Sequence, residues 1–297
     1  LLLHIIFFIG CNSNTKDPII EYQQSLINDG KTGSNVFKVY KDGEIVYDKV
    51  LNSGAVGDRN IDENTIFAIH SMTKTVTTVA AMILHEKGMF QLDDPLHKYL
   101  PEFKEVKCKG SEGIYDCENE IKVVDILTHR SGYIYYLDNG DNWLTGTHNS
   151  LYPSYINTSR FNNLDDFSKA VAKHPLEFEP GSMYAYGLNQ AILGRLIEVI
   201  SGQTFYDYLK ENIFDKLEMN ETKFHLTDDE RLRLQPLRVN IKPNSVFNQT
   251  DYNLDGYTIA LDGYSYREDN KAHFGGEGLV STMNDFSRFC EMLVNDG

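Results

Sequence analysis

A serine three residues before a lysine is a spacing with chemical consequences. On a helix the two side chains share a face about one turn apart. A serine at a helix start then has an amine within reach, and the free backbone N–H groups there favour developing negative charge. Lysine is a poor base at its ordinary pKa, but desolvation and neighbouring cations lower it, so the pair suits nucleophilic catalysis through an acyl-enzyme. The 297-residue chain contains the spacing twice, at Ser13-Asn14-Thr15-Lys16 and at Ser71-Met72-Thr73-Lys74. The first lies in a polar tract with nothing pocket-forming around it. The second opens the most apolar helical pattern in the chain. A helix cap explains Ser71, but it does not explain placing Lys74 between Met72 and a wholly apolar run.

The elements that must position this pair follow from periodicity. Val36 to Tyr40 alternates, and Asp42-Gly43 turns the chain into Glu44 to Val50, a hairpin whose turn needs positive φ. From Met72 the apolar residues Val76, Val79, Ala80, Ile83 and Leu84 recur at helical spacing, with Gly88 as C-cap. Asp93-Asp94-Pro95 starts a segment ending at Leu100-Pro101, and Ile121 to Thr128 predicts a helix leading into His129-Arg130-Ser131-Gly132. Further helices are predicted over Leu188 to Ile200, Phe205 to Leu217 and Asn284 to Leu293. Residues 133–165 read as a long surface excursion, and Asn240 to Asn270 as loops or an irregular ribbon. Strands first and then mostly helices make an α+β chain.

Bulk properties narrow the partners. Lys+Arg total 28 against 43 Asp+Glu, a formal net charge of -15, which repels phosphate backbones and argues against nucleic acid. Leu1 to Ile9 is an apolar run broken only by His4, followed by Gly10-Cys11 and a polar tract; it resembles the end of a bacterial lipoprotein signal whose cysteine is lipidated. The expectation is an exported chain held at the cell envelope through Cys11, starting inside its own signal, with 1–11 as partial signal, 12–30 as tether and start of the first helix, and 31–297 as the folded domain. Cys108 and Cys117 share one short segment and could staple a hairpin-like excursion in an oxidising envelope, while a zinc reading is weak. Cys290 is expected to be a buried free thiol.

Thr65-Ile66-Phe67-Ala68-Ile69-His70-Ser71-Met72-Thr73-Lys74-Thr75 resembles the nucleophile segment of the serine β-lactamase-related family, which holds class C β-lactamases, penicillin-binding DD-peptidases and β-lactamase-fold esterases. Further blocks match in the family's order: Leu92-Asp93-Asp94-Pro95 with Tyr99-Leu100-Pro101, Leu127 to Gly132, Pro180-Gly181 leading to Tyr184-Ala185-Tyr186, Leu193-Gly194 with Ile200-Ser201-Gly202, and Gly275 to Thr282. The resemblance implies a β-lactamase/transpeptidase-like fold, an antiparallel sheet plus a mostly helical subdomain. It also implies a serine hydrolase without a cofactor or metal. Ser71 would be acylated and its N–H would supply half of the oxyanion hole. Lys74 would help deprotonate it, and Tyr186 would relay protons to and from the leaving group. His129 with Asp125 invites a Ser-His-Asp reading, but the resemblance makes His129, Asp93 and Asp94 structural.

Two departures shape the expected activity. The family's second motif is most often Tyr-x-Asn, whose Asn meets the acyl amide of β-lactams and peptides; here it is Tyr186-Gly187-Leu188, with Asn189 one place late. Tyr155-Ile156-Asn157 spells the motif out of context. The third motif, Lys-Thr-Gly or His-x-Gly, is expected after the Gly275 block and has no counterpart before Gly297, while Lys31-Thr32-Gly33 precedes Ser71. The chain therefore reads as a fragment lacking the C-terminal sheet strands and last helix, with little activity of its own. The expected substrates are small esters, amides or peptidoglycan-type peptides. The alternatives are a β-lactamase or DD-carboxypeptidase acting on β-lactams or peptides, and a catalytically silent binding lipoprotein or inactive fragment.

Overall fold

Asp17 opens the described chain as a helix cap: its carboxylate accepts from the N–H of Ile19 at 2.9 Å, and Pro18 occupies the first helical position. A computed structural model describes residues 17–134, 161–239, 257–259, 266 and 268–297. The signal-like run with Cys11, the Ser13–Lys16 spacing, Tyr155-Ile156-Asn157 and most of the 133–165 excursion lie outside the described residues.

Helix α1 (Pro18–Asn28) leads into the hairpin β1 (Asn35–Lys41) and β2 (Glu44–Leu51). Asp42 and Gly43 both take positive φ, 53° and 88°, the twist-matched turn that the Asp-Gly pair announces. Strand β3 (Ile66–Ala68) then passes through a 3-10 turn, His70–Met72, into α2 (Thr73–Glu86), which Gly88 closes at φ 71°. A second hairpin, β4 (Lys107–Gly110) and β5 (Gly113–Asp116), carries the disulfide between Cys108 and Cys117. Helices α3 (Val123–Leu127), α4 (Leu164–Val171), α5 (Asn189–Ser201) and α6 (Phe205–Leu209) follow; α6 loosens into a π turn, Lys210–Phe214, where the sequence predicted one continuous helix. After α7 (Asp228–Arg231), strands β6 (Leu237–Val239) and β7 (Tyr257–Ile259) pair antiparallel; β7 lies within the stretch read as loops or an irregular ribbon, and β6 just before it. The described chain ends with β8 (Val280–Thr282) and α8 (Met283–Val294).

The core lies between α2 and α5. Val76, Ala80 and Leu84 of α2 meet Ile192, Leu193 and Leu196 of α5, with Phe167, Phe205 and Phe289 closing the sides. Truncating one such side chain, as in Leu193→Ala, costs roughly 2–5 kcal/mol through lost burial and a residual cavity.

Strand β3 pairs antiparallel with β8, Phe67 opposite Ser281, although more than two hundred positions separate them. This short ladder matters more than its length suggests. It brings the turn before β8 against the residues that follow β3, so the Gly275–Gly278 stretch faces Ser71 and Lys74. Cys290 departs from expectation: it is exposed, because α8 turns Phe289 and Asp285 inward and leaves Cys290 on the outer face.

Candidate active site

Ser71 lies in the 3-10 turn, just before α2 rather than within it, with an exposed side chain. Lys74, one turn on, is buried. Its Nζ donates to Ser71 Oγ at 3.1 Å and to the Gly276 carbonyl at 2.6 Å. Tyr186 enters from the opposite wall, its Oη also 3.1 Å from Ser71 Oγ, and the Lys74 ammonium sits 4.9 Å from its ring centroid. The three residues singled out in the sequence therefore meet at one oxygen.

Tyr186 is held by the chain behind it. His129, at φ 56°, gives its carbonyl to the N–H of Ala185 at 3.0 Å, and Arg130 gives its own to Gly181 N–H at 2.9 Å. The His129 ring lies 4.7 Å from the Tyr186 ring. Its Nδ1 faces the Gly187 N–H at 3.2 Å and the Asn189 amide nitrogen at 3.1 Å. An N–H can only donate, so Nδ1 is the acceptor and the proton sits on Nε2. Burial, and then the Lys74 charge, push the His129 pKa down to about 4, which keeps the ring neutral. His129 is a brace, as expected. Asp125 accepts from the N–H of Lys122 at 2.9 Å and caps α3, so it serves no triad. Asp94 accepts from Gln91 N–H and Tyr99 Oη, and Asp93 pairs with Lys122; both are structural.

The displaced Asn189 is fully buried at the start of α5. Its amide oxygen takes the Ser131 hydroxyl and its nitrogen reaches His129 Nδ1 and, at 3.4 Å, the Tyr133 carbonyl. It is a structural amide and does not replace the motif's substrate-facing Asn, while Leu188 in that place is buried. Gly187 is required for a steric reason: a Cβ there would lie 1.9 Å from the Tyr133 carbonyl oxygen.

One acidic residue was not singled out by sequence. Glu277, inside the Gly-Gly-Glu-Gly block and next in sequence to the Gly276 carbonyl that accepts from Lys74, is buried, and burial pushes its pKa up to about 7 against the opposing Lys74 charge. The available signal was a charged residue flanked by glycines that have no room for a side chain. Around the mouth, Met72, Met183 and Tyr184 are exposed, and Tyr184 meets the His129 ring edge-on at 6.2 Å. Elsewhere, Cys108, Cys117 and Glu179 cluster, but the two sulfurs are bonded to each other and are not free to ligate a metal.

An α+β fold with a serine, a lysine and a tyrosine joined at one hydroxyl defines the class of penicillin-recognising and related serine enzymes. The chain belongs to the Beta-lactamase family, whose profile matches residues 21–297. Among similar proteins, the lovastatin esterase of Penicillium rubens is 27% identical over 289 residues, 92% of this chain and 67% of its own. The esterase EstB of Burkholderia gladioli is 29% identical over 194 residues, 65% of this chain and 47% of its own. The chain thus spans between about half and two thirds of such relatives. Among solved structures, EstCE1, a hydrolase with promiscuous acyltransferase activity, superposes with a TM-score of 0.71 at 20% identity, covering 93% of this chain and 71% of its own. The simvastatin synthase of Aspergillus terreus gives 0.69 at 22% identity, covering 95% and 70%. These likenesses fix the fold.

Proposed function

We propose that this chain belongs to an exported serine esterase that forms an acyl-enzyme on Ser71 and acts on small esters with apolar groups. The observation that carries the reading is the convergence of Lys74 Nζ and Tyr186 Oη on Ser71 Oγ, each at 3.1 Å. Ser71 Oγ attacks the ester carbonyl and forms the C–O bond while its proton passes to the Lys74–Tyr186 pair. The tetrahedral adduct collapses with loss of the alkoxide, which takes that proton and leaves as the alcohol. Water, or a second alcohol in acyl transfer, then repeats the sequence in reverse and frees Ser71. Esters are favoured over β-lactams and peptides because no amide side chain replaces the motif's Asn: Leu188 is buried and Asn189 is engaged inside. The exposed Met72, Met183 and Tyr184 at the mouth suit apolar acyl or alcohol groups.

Export is supported by the Cys108–Cys117 disulfide, a bond that persists in oxidising compartments, and by the lipoprotein-like sequence ending at Cys11. The catalytic reading is tested by incubating the protein with a p-nitrophenyl ester and with labelled penicillin, then locating any adduct by peptide mass spectrometry. Acylation by the ester at Ser71, lost in Ser71→Ala, is expected. A stable penicilloyl adduct with no ester adduct would point to a penicillin-binding enzyme instead.

A further inference from the structure

Helix α2 carries two fully buried threonines, Thr73 and Thr77, on the side that bears Lys74. Their hydroxyls and the Lys74 amine all reach the segment before β8. Thr77 donates to the Gly275 carbonyl at 2.8 Å, Lys74 Nζ donates to the Gly276 carbonyl at 2.6 Å, and Leu279 N–H donates to the Thr73 hydroxyl at 3.2 Å. A threonine inside a helix has a local acceptor in the carbonyl four residues back, which for Thr77 is that of Thr73 at 3.1 Å. With one proton to give, the Thr77 hydroxyl makes its shorter contact outside its own helix. The approach leaves no room for a side chain at 275: a Cβ there would lie 2.9 Å from Thr77 Cγ2, 3.0 Å from Thr77 Oγ1 and 2.5 Å from the Gln190 carbonyl. Two glycines in a row give the backbone its widest freedom, so their own φ/ψ preferences do not fix where the Gly275 and Gly276 carbonyls point. Position 77 also lies among Val76, Ala80, Ala81 and Leu84, all buried and apolar. A hydroxyl in such company is costly unless it is hydrogen-bonded, and its partner is the peptide that joins the two glycines.

We propose that Thr77 is a positioning residue for the Lys74 amine. Its hydroxyl fixes the peptide between Gly275 and Gly276, and through it the Gly276 carbonyl that helps hold Lys74 Nζ 3.1 Å from Ser71 Oγ. The inference rests on the reading of Ser71 as nucleophile. The path is continuous: Thr77 Oγ1 to Gly275, one residue on to Gly276, then Nζ, then Ser71 Oγ. Thr77 is fully buried, so it acts through Lys74 and not on substrate. Without the hydroxyl, the buried Gly275 carbonyl lacks this donor, and the paired glycines can turn to offer it to another. The Gly276 carbonyl turns with it. Nζ then faces Ser71 Oγ at a distance and angle less suited to taking its proton.

The test is pre-steady-state acylation of Ser71 by p-nitrophenyl acetate, with p-nitrophenol release followed over a range of ester concentrations to separate the maximal rate from the dissociation constant. Urea unfolding confirms that each variant is folded under the assay conditions. Thr77→Val keeps the shape and removes the donor; its maximal acylation rate is expected to fall about 10–100-fold at an unchanged dissociation constant. Thr77→Ser keeps the donor and loses only the methyl, and it is expected to acylate at close to the parent rate. An unchanged rate in Thr77→Val, an equal loss in Thr77→Ser, or a loss confined to the dissociation constant overturns the role of Thr77 and leaves Ser71 as nucleophile. No acylation of the parent at any ester concentration overturns the Ser71 reading and this proposal with it. If Thr77→Val does not fold, Thr77→Ala, which removes the donor and cannot crowd Gly275, takes its place with the same expected and overturning results.

Discussion

Asn189 donates to His129 Nδ1 across 3.1 Å and is completely buried in doing so. The amide that stands one position late for substrate binding is thus the keystone of the wall behind Tyr186. It ties Ser131, His129 and Tyr133 to the start of α5, and Gly187 N–H joins the same imidazole nitrogen. The position of the Tyr186 hydroxyl on Ser71 depends on this network, since neither Tyr186 nor its neighbours belong to a helix or strand.

Asn189→Ala leaves the Ser131 hydroxyl buried without its acceptor and removes one donor from His129. His129 Nδ1 keeps the Gly187 N–H, so the one uncompensated donor, the Ser131 hydroxyl, costs about 1–3 kcal/mol in a low-dielectric interior. Denaturant unfolding should show that loss. Acylation of Ser71 should fall by a similar factor for every ester tried, because the change acts through Tyr186. A loss confined to amide-bearing substrates, with stability intact, would mean that Asn189 touches substrate after all.

Removing the Tyr186 hydroxyl tests the proton path directly. Tyr186→Phe keeps the ring that packs on His129 and leaves Ser71 Oγ with Lys74 alone, so the acylation rate should drop by about 10²–10⁴-fold. Lys74→Met should cost as much or more, since it removes both the 3.1 Å contact to Ser71 and the cation beside the phenol. Rates measured by mass spectrometry under single-turnover conditions check both. A drop below tenfold in Tyr186→Phe would shift the base role to Lys74.

The hairpin, α2 and α5 were legible because each rests on a local rule: Asp42-Gly43 supplies positive φ, and a Gly follows each helix at 88 and 202 in the left-handed region. Ser71, Lys74 and Tyr186 were legible through their blocks. What pairs β3 with β8 was not, because three-residue strands carry no periodicity and their partner is chosen by tertiary packing. Glu277 escaped for the same reason, since its meaning depends on which turn the β3–β8 ladder brings to Lys74. Cys290 was misassigned because an amphipathic pattern fixes a helix's faces only once the neighbouring elements are known. The inner face of α8 is set by Phe289 and Asp285, not by the thiol.

Stability should fall on acidification from neutrality. His129 and His273 are both pushed down from 6.5 to about 4, chiefly by burial. Each is neutral in the fold and protonates more readily when unfolded. Their contribution is therefore complete above about pH 6.5 and is lost as pH falls toward about 4, on the order of 3 kcal/mol for each ring. Glu277 runs oppositely: raised from 4.5 to about 7, it stabilises fully below about pH 4.5 and loses that contribution as pH rises to about 7. Urea unfolding at several pH values should show the acid slope halved in His273→Phe. In Glu277→Gln that opposing contribution between about pH 4.5 and about 7 should vanish, so the loss of stability on acidification should steepen.

The disulfide joins residues nine apart, Cys108 and Cys117. Closing so short a loop restricts the unfolded chain by roughly 2–3 kcal/mol. Cys108→Ser with Cys117→Ser, or reduction, should lower the free energy of unfolding by about that amount. Acylation of Ser71 should survive, since the hairpin stands apart from the trio. Unchanged stability on reduction would mean that the bond is not formed in the purified protein.

Gly187 and Gly202 separate steric necessity from backbone strain. At Gly202, φ is 72° and a Cβ would meet nothing within 4 Å, so Gly202→Ala should cost about 1 kcal/mol and leave acylation alone. At Gly187 a Cβ would meet the Tyr133 carbonyl oxygen at 1.9 Å and Ile134 Cα at 2.7 Å, both backbone atoms. Backbone cannot rotate out of the way as a side chain can, so the segment carrying Tyr186 must move. A displacement of about 1 Å at a catalytic group costs on the order of 10²-fold in rate. Gly187→Ala should therefore lose acylation out of proportion to its loss of stability, read by comparing the mass-spectrometric rate with the urea midpoint. Equal acylation in Gly187→Ala and the parent would mean that Tyr186 reaches Ser71 from a position this wall does not set.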